Sequence, residues 1–272
     1  MTSAHRSPIT RRSRHSAAIS RRDLLQGVGG ASLALPFVAL GSGTSAAKPT
    51  LTAVPEPVAD TGVYDAYVPT ETKSGQFFSY TCEFDAAWAV LKTFGHDVNL
   101  DEQLAIVGHD TSIEPYYEET PDGFVIYGGD VASAFSGDYY TNLLARTRGT
   151  AMTDLCKAFD LDIQRVKDRK GIQRALRGGK VIWIKATVDF LPGVPTTWIT
   201  PDGERYPTVL SNDHAVVVVG YNSDVVVIRD VLGPTSTNWN RPYLYKVRWS
   251  TFMASWTMHG RDGLALSPRA EE

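Results

Sequence analysis

Two cysteines, Cys82 and Cys156, in 272 residues are too few for a disulfide framework. Charge of either sign is in no excess: the formal net charge of −3 argues against a surface built to coat nucleic acid. At 21% charged and 43% hydrophobic residues, the chain also lacks the charge density of a disordered protein and has the apolar content of a folded one. No phosphate-binding glycine motif is present, so no nucleotide cofactor is expected. His96, His109 and His259 stand at no metal-ligand spacing, so no metal is expected either. Repeats of 20–50 residues and low-complexity linkers are likewise missing, and the length then reads as one domain behind a short leader.

That leader shows in the charge distribution. Residues 1–47 hold six arginines, no lysine and one acid, Asp23, which leaves 21 basic against 29 acidic residues in 48–272, a net of −8. Ser20-Arg21-Arg22-Asp23-Leu24-Leu25 has the form of a twin-arginine export motif. The apolar stretch from Leu24 to Leu40 is diluted by Gly27, Gly29 and Gly30, too short and glycine-rich for a comfortable membrane span. Small residues from Gly41 to Ala47 then offer a cleavage site after Ala47. The segment predicts a prokaryotic protein exported already folded, to the periplasm, cell envelope or medium. Contact with a membrane is expected only through this signal. A disordered basic tail or an uncleaved anchor are the other readings. Residues 48–65 form an extended lead-in, and 66–270 the domain proper.

The first half of that domain is helical in pattern. Cys82 to Phe94 places Ala86, Ala87, Val90, Leu91 and Phe94 at helical spacing and stops at Gly95. Asn99 or Asp101 caps a second helix through Val107, Thr153–Phe159 gives a third, and Lys170–Leu176 a fourth, ended by Gly178-Gly179. The second half is strand-like. Lys180–Thr187 is β-rich, Pro201-Asp202-Gly203 is a hairpin turn, Ala215–Tyr221 and Val225–Asp230 flank Asn222-Ser223-Asp224, and Tyr243–Trp249 is a further strand. Helices followed by an antiparallel sheet give the α+β class. Tyr116-Tyr117 and Tyr139-Tyr140 fall in glycine-rich stretches read as loops, where they either line a cleft or pack the loops.

Three residues at element ends carry the chemistry. Cys82 stands at a helix start, where free backbone N–H groups and the helix dipole favour a thiolate and can also hold an oxyanion. His214 opens the most apolar strand, the position of a tunable general base. Asp230 closes the next strand. A three-residue turn that sets Tyr221 opposite Val225 pairs Val216 with Asp230 and leaves His214 diagonal to it on the same face, within reach of its carboxylate through Nδ1–H. A two-residue turn would put them on opposite faces. Gln76, six residues before Cys82, can loop back and donate its amide to the same oxyanion. Cys156 lies on the apolar face of the third helix and reads as core.

Taken together, four stretches resemble the papain-like cysteine peptidases of the bacteriocin-leader-processing type, in their broad exported C39-like group. They are Cys82–Gly95, His214–Tyr221, Val226–Asp230 followed by Gly233, and Thr251–Trp256. The resemblance spans about residues 75–267. It implies a papain-like cysteine peptidase fold, with the helical half packed on the sheet. It also implies a cysteine nucleophile, histidine base, aspartate orienter and glutamine oxyanion donor, roles that fall on Cys82, His214, Asp230 and Gln76. No cofactor is implied, the partner is a peptide or other amide substrate, and a monomer is expected. The sequence departs from the family in one place that matters. Glu83-Phe84 replaces the usual Gly-Pro after the cysteine, and a carboxylate beside the nucleophile opposes its ionisation if it points inward. That departure motivates an alternative, a catalytically silent binding module. A further alternative is another Cys-His-Asp chemistry, acyl transfer or cell-wall peptide hydrolysis.

Overall fold

The computed structural model describes residues 63–270; the leader, with its twin-arginine motif, and most of the lead-in lie outside the described residues. Five helices occur among the described residues: α1 (Cys82–Thr93), α2 (Leu100–Val107), α3 (Gly149–Ala158), α4 (Arg169–Arg177) and α5 (Trp249–Met258). The strands of the first half are β1 (Ala66–Tyr67), β2 (His109–Asp110), β3 (Tyr116–Thr120), β4 (Gly123–Tyr127), β5 (Phe135–Ser136) and β6 (Leu161–Arg165). Those of the second half are β7 (Val181–Thr187), β8 (Pro195–Ile199), β9 (Arg205–Val209), β10 (Asp213–Tyr221), β11 (Val225–Arg229), β12 (Leu244–Arg248) and β13 (Gly263–Pro268). The architecture is α+β, as its residue pattern predicts.

The main sheet runs β12-β11-β10-β7-β13-β6, antiparallel throughout, with β1 also paired to β10. Its centre, β7 and β10, is buried along its whole length, because both faces are covered. Alternation along each strand sorts the side chains into two cores. Trp183, Ala215 and Val217 pack with Phe84, Ala87 and Leu91 of α1. Ile182, Ile184, Val216 and Val218 pack with Ile172 of α4 and with Phe252 and Trp256 of α5. A helix laid on each face satisfies the near-continuous apolar runs of the two central strands.

Local signals account for the helix ends. Asn99 accepts from the Glu102 N–H at 3.0 Å and Glu102 returns the bond to the Asn99 N–H at 2.9 Å, a capping box. Asp168 caps α4 by accepting from the Gly171 N–H at 2.7 Å. Three elements differ from the sequence expectation. The third helix begins at Gly149, four residues before Thr153. Trp249–Met258 is a helix. Tyr116 and Tyr117 lie not in a loop but in a hairpin, β3–β4, turned at Pro121-Asp122 and extended by β8 and β9 into a second sheet. Its alternation is weak because both faces mix polar and aromatic residues.

The β10–β11 hairpin has an unexpected register. Tyr221 pairs with Val226, not Val225, so the loop is one residue longer than expected; a bulge between Val218 and Gly220 then takes up the extra residue, and Val217 pairs with Arg229. Extending that pairing one step sets Val216 against Asp230, the alignment the three-residue turn was expected to produce.

Candidate active site

Asp230 and His214 come together at the end of this hairpin. His214 Nε2 lies 2.9 Å from Asp230 Oδ1, both side chains fully buried. The expected contact was through Nδ1; in the structure the carboxylate lies on the Nε2 side of the ring. His214 Nδ1 is buried and has no hydrogen-bond partner. Asp230 takes three further donors: the Leu232 N–H at 2.9 Å, the Tyr245 hydroxyl at 2.9 Å and the Arg241 guanidinium at 3.1 Å. Burial pushes its carboxyl up, but the His214 and Arg241 charges overcome that and hold it well below the usual carboxylate range. Arg241 is itself anchored on Asp189 at 2.8 Å and on the Gly233 carbonyl at 2.6 Å. Asp189 accepts from Thr235 and Thr237, both at 2.5 Å, which ties the loop after Asp230 to the end of β7. Asp189 and Phe190 hold φ of 55° and 54°, left-handed values that this set of bonds secures.

Cys82 is the first residue of α1 and is 2% exposed. The loop that leads to it is pinned by Asp85, one turn into the helix. Asp85 accepts from the Phe77 N–H at 2.9 Å and the Thr81 hydroxyl at 2.7 Å, and pairs with Lys73. The Phe78 N–H in turn donates to Thr81 Oγ1 at 3.0 Å. This fixes the path from Gln76 to Cys82. Gln76 Nε2 is a buried amide with no hydrogen-bond partner. Phe78 on the same loop stacks near Tyr140 and Tyr139, with ring centroids 4.4 Å and 5.4 Å away, and the Tyr80 N–H donates to the Tyr139 carbonyl at 3.0 Å. Of the two tyrosine pairs, Tyr139-Tyr140 thus sits beside the loop that leads to Cys82, and Tyr116-Tyr117 belongs to the second sheet.

Glu83 points inward. It is fully buried, and the Cys82 thiol donates to its Oε2 at 3.2 Å. Lys185, in the middle of β7, pairs with Glu83 and with Asp213, the latter at 2.6 Å. Arg146, at 3.8 Å, pairs with Asp213 as well, and His259 Nδ1 lies 3.4 Å from it. Polar atoms of Cys82, Glu83 and Asp213 all lie within 4.8 Å of one another, and the cation that answers them is the Lys185 ammonium. Burial lowers the Lys185 pKa, but Asp213 and Glu83 more than reverse this and raise it well above the ordinary value. Asp213 is held well below the usual carboxylate range against its burial, chiefly by Lys185 and Arg146. Burial drives His259 down to about 3, so it is neutral near neutral pH. Asp213 and His214 are adjacent in sequence but have different partners: Asp213 binds Lys185 and His214 binds Asp230.

Both cysteines are free thiols. Cys156 packs in the core, where burial pushes its thiol up to about 12. The sequence reading did not find Lys185, Asp85, Arg241, Asp189 or Tyr245. Lys185 had a signal: a lone lysine in the apolar run Val-Ile-Trp-Ile-Lys-Ala-Thr requires a buried partner.

The model of the Peptidase_C39-like family matches residues 66–264. The chain belongs to the Peptidase_C39-like family. It is of cysteine-peptidase type. Among solved structures, it is similar to a Bacillus anthracis protein described as a C39-like peptidase, with a TM-score of 0.57 and 20% identity, covering 77% of this chain and 98% of that one. That likeness is one of fold. Comparison with curated proteins returned no match.

Proposed function

We propose that this C39-like peptidase is an exported thiol hydrolase that cleaves amide bonds in peptides through Cys82, His214, Asp230 and Gln76. The observation that carries the reading is the buried His214–Asp230 pair, which leaves one imidazole nitrogen, Nδ1, unbonded. Asp230, held anionic by its four donors, fixes the ring with the proton on Nε2, and Nδ1 is then the basic nitrogen. His214 Nδ1 removes the Cys82 proton and the sulfur attacks the substrate carbonyl. The Cys82 N–H and the Gln76 amide donate to the oxyanion; a buried amide without another partner suits that task. The imidazolium returns its proton to the leaving amine, and water, activated by His214, releases the acyl group. Export rests on the Ser20–Leu25 motif.

A silent binding module is the competing reading, favoured by the Glu83 carboxylate on the sulfur. An activity-based thiol probe on the mature protein, with the modified residue found by mass spectrometry, separates the two. Modification at Cys82 and loss of hydrolysis in a folded Cys82→Ala variant are expected. Full activity in that variant would end the proposal. Amine incorporation in place of water would instead indicate acyl transfer.

A further inference from the structure

Cysteine peptidases that rest as a thiolate need positive charge at the sulfur. Here a carboxylate oxygen, Glu83 Oε2, lies 3.2 Å from Cys82 Sγ, and the geometry is that of an S–H donor on an acceptor. The second carboxylate, Asp213, has an oxygen within 4.8 Å of the same sulfur. Facing them from β7 is one ammonium, Lys185, bound to both acids. From the segment before α3 comes Arg146, aimed at Asp213; from the end of α5 comes His259, neutral near neutral pH. From α1 itself, Asp85 is committed to Lys73. His214, next to Asp213 on β10, has its Nδ1 unbonded. Lys185 and Arg146 already balance Glu83 and Asp213 in this buried site, so a thiolate would add an unmatched negative charge.

We propose that Glu83 holds the Cys82 thiol protonated at rest, with Lys185 as the cation that lets a carboxylate occupy that buried place. The nucleophile then waits as a neutral thiol, and its proton leaves only when His214 takes it in the attacking step. The catalytic half of this statement rests on the function proposed above; the resting state of the thiol does not, and is measured without substrate.

The test is the pH dependence of iodoacetamide alkylation of Cys82 in the mature protein, followed by mass spectrometry, with thiolate ultraviolet absorbance as a second readout. Cys156 titrates far too high to interfere below about pH 10. In the unaltered protein, the alkylation midpoint is expected above that of a free cysteine, roughly 8.5. In Glu83→Gln, the midpoint should fall by about one unit, which is about tenfold faster alkylation well below it. Equal midpoints in the two proteins overturn the proposal. So does a thiolate signal already present in the unaltered protein near pH 6, a result that does not depend on the variant folding. Loss of hydrolysis in Cys82→Ala together with an unshifted midpoint would leave the peptidase reading standing and remove this one.

Discussion

Lys185→Met keeps the length of the side chain and deletes its charge, which isolates the ionic contribution of the β7 lysine. The two acids it serves are 0% and 3% exposed, so solvent does not screen the loss. Asp213 retains Arg146 at 3.8 Å and His259 at 3.4 Å. Glu83 retains only weak bonds among those described, the Cys82 thiol at 3.2 Å and the Thr147 N–H at 3.4 Å. Removing one partner of a buried pair costs about 3–5 kcal/mol, because the other charge is left without compensation. For a domain of this size that is roughly 6–20 °C in Tm. Urea unfolding followed by tryptophan fluorescence reads it, since Trp183, Trp198 and Trp256 are all buried. Adding Glu83→Gln to Lys185→Met should restore part of the loss, as the uncompensated charge is then gone. A loss under about 1 kcal/mol in the single variant would refute the reasoning, by showing that the pair breaks even with its desolvation.

Two further outcomes are expected. Asp213 and Asp230 are depressed, so the stability they contribute is fully present above the unfolded value near 4 and is lost as pH falls below it. His259, lowered from 6.5 to about 3, adds a loss that begins earlier, as pH falls below about 6.5; urea midpoints measured across this range should show both, and His259→Gln should flatten the upper part. Arg241→Met releases both Asp230 and Asp189, and should cut kcat by at least about tenfold with KM little changed, as steady-state kinetics would show, because the His214 orienter is loosened while substrate contacts are not.

The elements around the site were legible because their local signals agree with their tertiary roles. Gly95 ends α1 and Asn99 starts α2, Asp168 and Gly178 bracket α4, and the apolar run at Ala215 is a central strand. The His214–Asp230 pairing was legible as well, although for a reason that proved only half right, since the loop and the bulge each deviate by one residue and cancel. The ionic network was not legible. Lys185, Glu83, Asp213, Arg146 and His259 are brought together from five places in the chain, and only a sheet with a helix on its face sets them within reach. The β3–β4 hairpin was missed for the opposite reason: its turn residues were plain, but its strands are too mixed in polarity to announce a face.

The bulge in β10 has a consequence for how register is held along the hairpin. It lies between the turn and the His214 end of the hairpin, and absorbs one residue of chain before the ladder reaches His214. The turn and the site are thereby decoupled: the loop sets the register at the tip, and the bulge resets it before the ladder reaches His214. Only a slip below Val218 would change the partner, and there the two buried cores hold every side chain to its face. The hairpin is free to drift at its exposed tip and constrained at its root.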